Sequence, residues 1–185
     1  MALQSVPSYI GVSGFNTPVE VDRNFIKAVY GHTGVLSAMA FYVTPSVTSR
    51  VINVAPGAAC LIGVEDTLQG GYFAYSDSSA SDAITLGSPS GSPRIDTLIL
   101  RVVDTQYGFD PGSPRAELAV YQGTPASSPI ALDDTFFNIG GINYKPGAWM
   151  RLADVRTNPG DTTVPVANIT NTAVFLADIH LWARQ

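Results

Sequence analysis

The stretch Ile95-Asp96-Thr97-Leu98-Ile99-Leu100-Arg101-Val102-Val103-Asp104 decides the fold. Leu98, Ile99, Leu100, Val102 and Val103 fall on both alternating faces of a strand, so neither face can be left in water. Such a strand belongs at the centre of a sheet, covered on both sides. Arg101 interrupts it, and a charge in that position must be paired or lie at the edge of the buried layer. Two partners suit it: an aspartate of the same chain, such as Asp96, Asp104 or Asp154, or a carboxylate of a second subunit.

Downstream, a Gly, Pro and Asp rich loop at 106–114 leads into 116–122. There Leu118 and Val120 share one face, while Glu117, Ala119 and Tyr121 share the other, the mark of a half-buried strand. Residues 149–155 and 173–182 read as closing strands around a turn-rich connection. Upstream, 51–54 and 58–63 flank Ala55-Pro56-Gly57, whose Pro and Gly suit the corners of a type II turn, and this predicts a hairpin. A second hairpin is predicted from 72–75 and 83–86 around the polar stretch 76–82. Short β-branched and aromatic runs separated by Gly, Pro and Ser give an all-β expectation: an antiparallel β-sandwich or barrel.

One helix precedes the strands. Thr17-Pro18-Val19-Glu20 combines a Thr cap, a Pro in the first turn and a Glu three residues after the cap, which is a capping box. Phe25, Ile26, Val29 and Tyr30 recur at helical spacing, Asp22 and Arg23 are placed to face water, and Gly31 is placed to end the helix with a positive φ. The chain therefore divides, on this reading, into an N-terminal arm and helix at 1–35 and a β-domain at 36–185. Phe15, Phe25, Ile26 and Tyr30 are the expected anchors by which the arm docks on a partner, because aromatic side chains bury large areas at interfaces.

Composition limits the function. The 185 residues carry a net charge of −5 with Lys27 and Lys145 as the only lysines, which excludes the basic stripe that phosphate contacts demand. The low share of charged residues, 14%, suits surfaces that face other proteins. The single cysteine, Cys60, sits in the apolar run Ala58-Ala59-Cys60-Leu61-Ile62 and reads as a buried small hydrophobe. No basic and apolar leader and no run long enough to span a bilayer is visible, so synthesis in the cytoplasm without membrane insertion is expected.

No catalytic constellation assembles from the sequence, and no enzyme activity, metal or cofactor is expected. His32 follows the helix end, and His180 alternates with Leu176, Asp178 and Trp182 on an expected strand, so both read as structural or surface histidines. Gly87-Ser88-Pro89-Ser90-Gly91 has Pro where a nucleophile elbow needs Ser. Asp133-Asp134 and the pair Asp77 and Asp82 lack calcium-loop spacing. The three glutamates, Glu20, Glu65 and Glu117, form no evident glycosidase pair.

Arg94-Ile95-Asp96 opening the central strand resembles a domain common in minor tail and baseplate proteins of phages that infect actinobacteria. So does Ala116-Glu117-Leu118-Ala119-Val120-Tyr121-Gln122 running into Gly123-Thr124-Pro125. Ile52-Asn53-Val54-Ala55-Pro56-Gly57 and Arg151-Leu152-Ala153-Asp154-Val155-Arg156 resemble its early and late strands, and the likeness spans about residues 48–170. Where that family usually has Ile-Thr-Asp followed by Arg, this chain has Ile169-Thr170-Asn171-Thr172 and then further apolar sequence, so direct host recognition is not expected of it.

The resemblance implies a virion protein, of the tail more than the head, that joins other virion proteins and self-associates, with a trimer expected by analogy. The rival readings are a capsid decoration or head-fibre protein and a carbohydrate-binding module contacting a host-surface glycan. The latter would present Tyr72, Tyr75, Tyr107 or Trp149 for stacking on sugars.

Overall fold

The computed structural model describes residues 4–6, 19–47, 49–63, 69–76, 82–89, 91–104, 115–132, 137–139, 142–144 and 148–176. In chain order these give β1 (Gln4–Val6), α1 (Val19–Tyr30), β2 (Gly34–Val35), β3 (Val43–Pro45), β4 (Val51–Val54), β5 (Gly57–Ile62), β6 (Gly71–Ser76) and β7 (Asp82–Thr85). They continue with β8 (Arg94–Val103), β9 (Arg115–Tyr121), β10 (Phe137–Ile139), β11 (Ile142–Tyr144), β12 (Ala148–Thr157), a single 3-10 turn at Val166–Asn168 and β13 (Ile169–Asn171).

Strand β8 lies inside its sheet, as its two apolar faces require. It pairs with β12 on one side and β9 on the other, both antiparallel, in the order β13-β12-β8-β9. A register shift between Arg151 and Ala153 marks a bulge in β12. A second sheet has the order β1-β6-β5-β2, a third β3-β4-β7, and β10 and β11 form a separate two-stranded ladder. The chain is therefore all-β and antiparallel, with one short helix among the described residues.

The three larger sheets turn their apolar faces to one core. Leu98, Leu100 and Val102 from β8 meet Leu152 and Val155 from β12, Ile52 and Val54 from β4, and Ala59, Leu61, Tyr72 and Ala74 from β5 and β6. Alternation then sends the intervening residues outward. On the back of the β5–β6 ladder, Cys60, Ile62 and Phe73 receive Ile26 and Tyr30 of α1, together with Leu176. On the back of β8, Ile99 packs with Ala119, Tyr121, Leu132 and Trp149.

The half-buried alternation expected of β9 holds, with Leu118 and Val120 toward the main core and Ala119 and Tyr121 away from it. The helix ends where expected, at Gly31 with φ of 67°, whose N–H donates to the Lys27 carbonyl at 2.8 Å. Thr17 and Pro18 of the expected cap lie outside the described residues.

Both predicted hairpins are corrected. β4 pairs with β3 and β7, and β5 pairs with β6 and β2, so Ala55-Pro56 carries the chain from one sheet to another. Gly57 serves that crossing by close approach, since a Cβ there would overlap the Cβ of Ala40 and lie 2.6 Å from its Cα. β6 and β7 likewise belong to different sheets. Of the expected strand at 173–182, the described part, 173–176, shows only a single parallel bridge between Phe175 and Val35.

The ranges on either side of residue 35 are interwoven. β1 pairs with β6, β2 pairs with β5, and α1 covers that same sheet, so the N-terminal segments form part of the β-structure.

Candidate interaction site

Helix α1 is held on the body by one polar cluster and one apolar one. Residues 23, 26 and 30 fall on a single helical stripe, and all three turn inward. The Arg23 guanidinium lies 2.8 Å from Asp104 Oδ2 and stacks over the Tyr72 ring, 4.9 Å from its centroid. Tyr72 donates its hydroxyl proton to the same Asp104 oxygen at 2.8 Å. Asp104 comes from the residue just after β8 and Tyr72 from β6, so the cluster ties the helix to two sheets at once. Burial, and then the bond to Asp104, push the Tyr72 phenol well above its ordinary range. Lys27 adds a longer bond, 3.4 Å, to the carbonyl of buried Gln69.

Arg23 was expected to face water, and the structure corrects this. Its spacing from Ile26 and Tyr30 was the available signal. A long side chain on an apolar stripe can bury its stem only if its charge finds a partner, and Asp104 supplies one.

The expected anchors separate by face. Ile26 is 6% exposed and committed to the chain's own core, and Tyr30 makes an edge-to-face contact with Phe73 at 5.2 Å between centroids. Phe25, 68% exposed, and Val29, 47% exposed, point away from the body one helical turn apart. Phe15 lies outside the described residues.

Arg101 is paired within the chain, and the partner seen among the described residues is Glu117. It faces Glu117 directly across the β8–β9 ladder and bonds Glu117 Oε1 through Nε at 2.5 Å, while Arg115 bonds Oε2 at 2.7 Å. Burial raises the Glu117 carboxyl, yet the bonds and charges of Arg115 and Arg101 outweigh it and hold the group below its ordinary 4.5. Asp96 and Asp154 have other arginines. Asp96 takes Nε of Arg94 at 2.7 Å and Nη2 at 3.0 Å and accepts from Gly123 N at 3.1 Å. Arg94 also donates to the Gly87 carbonyl at 2.9 Å. The Arg94-Ile95-Asp96 motif therefore clamps the loop before β8 to the end of β9. Asp154 takes Arg151 Nη1 at 2.9 Å and the Thr97 hydroxyl at 2.7 Å.

Cys60 is fully buried and its thiol is pushed up to about 12 by desolvation. His32 is exposed, and Asp82 half-buried, whereas His180, Asp77, Asp133, Asp134 and Tyr107 lie outside the described residues. Among the aromatics expected to stack on sugars, Tyr72 is buried in the helix clasp, while Tyr75 and Trp149 are half-buried. Among the described residues no group of three or more metal-ligating side chains forms, and no helix is long and apolar enough to cross a membrane.

Fold and site together define an all-β antiparallel protein whose one described helix is fastened on its inner face and apolar on its outer one. Comparison with models of known families, with curated proteins and with solved structures finds no match for the chain.

Proposed function

We propose that this protein is a structural component of a phage virion, more of the tail than of the head, that acts as an assembly platform. The observation that carries this reading is the outer face of α1. Phe25 and Val29 stand exposed on a helix that Arg23, Ile26 and Tyr30 hold rigid from behind, and a preorganised apolar face lowers the ordering cost of docking. The motif likeness over residues 48–170 supplies the virion context, and self-association, as a trimer, follows by the same analogy. The ion pairs Arg23–Asp104 and Arg101–Glu117 support a structural role, because each fastens one part of the chain to another.

Gold-labelled antibody against the chain, applied to particles of the phage that encodes it, tests the proposal. Gold at the tail tip is the expected result. Gold over the head would make it a decoration protein, and particles without label would overturn the virion reading.

A further inference from the structure

Each of the three larger sheets has two edges, and all but one of these meet another part of the chain. β1 and β9 lie against each other. β2 is bridged to Phe175, and Val35 N–H donates to the Val174 carbonyl at 2.8 Å. β3 and β13 are joined through one side chain. Val43 N–H donates to Asn171 Oδ1 at 2.8 Å and Asn171 Nδ2 donates to the Val43 carbonyl at 3.1 Å, so the amide stands in for a strand. Pro45, the next residue of β3 facing that way, has no N–H to offer. The remaining edge, β7, pairs with β4 and with no further strand among the described residues.

The phase of the ladder tells what β7 presents. Leu86 N–H donates to the Arg50 carbonyl at 2.8 Å, so in this antiparallel register Ile84 with Ile52 and Asp82 with Val54 are the bonded pairs. Ala83 and Thr85 alternate with them, and their N–H and C=O groups point away from β4. Both residues are exposed. The strand carries neither of the residues that most often keep an edge unpaired, lysine and proline, and its one charge, Asp82, stands at its first position.

An antiparallel copy of β7 satisfies this edge in one register. With Ala83 opposite the partner's Thr85 and Thr85 opposite the partner's Ala83, the residues of both pairs exchange their N–H···O bonds. The two-fold axis then passes beside Ile84, which meets the partner's Ile84 as a close side-chain pair on the face turned to the core. Asp82 falls opposite the partner's Leu86, so a chain of net charge −5 sets no like charges against each other here.

We infer that β7 pairs with β7 of a second copy about that axis, joining two sheets edge to edge in the order β3-β4-β7-β7-β4-β3. A contact of this length belongs to the small, transient class of interfaces, with a dissociation constant on the order of 0.1 mM. The inference is drawn from the edge and not from the virion reading. A two-fold contact by itself makes dimers, and on a three-fold assembly it joins two trimers.

Sedimentation equilibrium of the full chain over a concentration series reaching the millimolar range, run beside NMR hydrogen exchange of the Ala83 and Thr85 amides, tests the pairing. The mass should rise toward that of a dimer, and those two amides should gain protection as it does. Thr85→Pro removes an N–H that β4 does not use and should weaken association about tenfold. Thr85→Val, which keeps the N–H, should leave it unchanged. Ala83→Lys places a charge on the edge at an exposed position and should weaken association as the proline does, which covers the case of a proline variant that fails to fold. A chain that stays monomeric throughout would overturn the inference. So would association that both edge variants leave undiminished, or a trimer whose Ala83 and Thr85 amides exchange as fast as in the monomer; that last result would leave the self-association proposed above standing.

Discussion

Arg23 and Asp104 meet at 2.8 Å across the seam between helix and sheet, and the Tyr72 hydroxyl bonds the same carboxylate oxygen. Removing the arginine takes that cation from a buried carboxylate. Arg23→Met, which keeps the aliphatic stem, is expected to cost about 3 kcal/mol by denaturant titration. Hydrogen exchange should show α1 amides losing protection before those of β8 and β12.

The Arg94 and Asp96 pair is more deeply enclosed, at 6% and 1% side-chain exposure. Asp96→Ala strands a buried guanidinium and deprives Gly123 N of its acceptor. A loss of about 3–5 kcal/mol is expected. The double variant Arg94→Met with Asp96→Leu should recover much of it, and a double-mutant cycle measures the difference.

Glu117 gives a pH signature. Its carboxyl is held below 4.5 in the folded chain, so the folded state binds fewer protons than the unfolded one in that region. The stabilisation is fully present above the unfolded value and is lost as pH falls through the lower, folded one. Parent and Glu117→Gln should therefore differ by about 1 kcal/mol at neutral pH. The gap should hold down to about pH 5 and close under stronger acid. A gap that stays constant into strong acid would refute the assignment.

Neighbouring helix residues should behave oppositely. Ile26→Ala empties a packed site and should cost about 2–4 kcal/mol. Phe25→Ala, at an exposed position, should alter stability by no more than about 0.5 kcal/mol while reducing incorporation into particles. Normal incorporation of folded Phe25→Ala protein would remove the outer helix face from the assembly contact.

Cys60, with its thiol raised to about 12 and no exposure, should react with a thiol reagent at neutral pH only as fast as the chain opens. Labelling in the native state should be slower by orders of magnitude than in denaturant.

The parts of this fold written locally were readable from sequence. β8 announced its central position because both of its faces are apolar, and α1 because Phe25, Ile26, Val29 and Tyr30 repeat at helical spacing ahead of Gly31. Strand pairing was not readable in the same way. Ala55-Pro56-Gly57 carries turn chemistry, yet whether two flanking strands pair depends on where β3, β6 and β7 offer edges, and those lie elsewhere in the chain. The two faces of α1 were equally ambiguous, since Phe25 and Ile26 are both apolar and only the position of the β5–β6 ladder decides which is buried. Arg101 was rightly expected to demand a partner, but the register of β8 and β9, not legible in the sequence, is what sets Glu117 directly opposite it.

The bond from Val35 N to the Val174 carbonyl, 2.8 Å, and the bridge beside it join segments from opposite ends of the described structure. During synthesis the early sheet must wait on the ribosome with its β2 edge uncovered until position 174 has emerged. Closure is a late event between distant parts of the chain, the kind of step that makes folding slow, and nascent copies crowded on one message could satisfy that edge with one another before each satisfies its own.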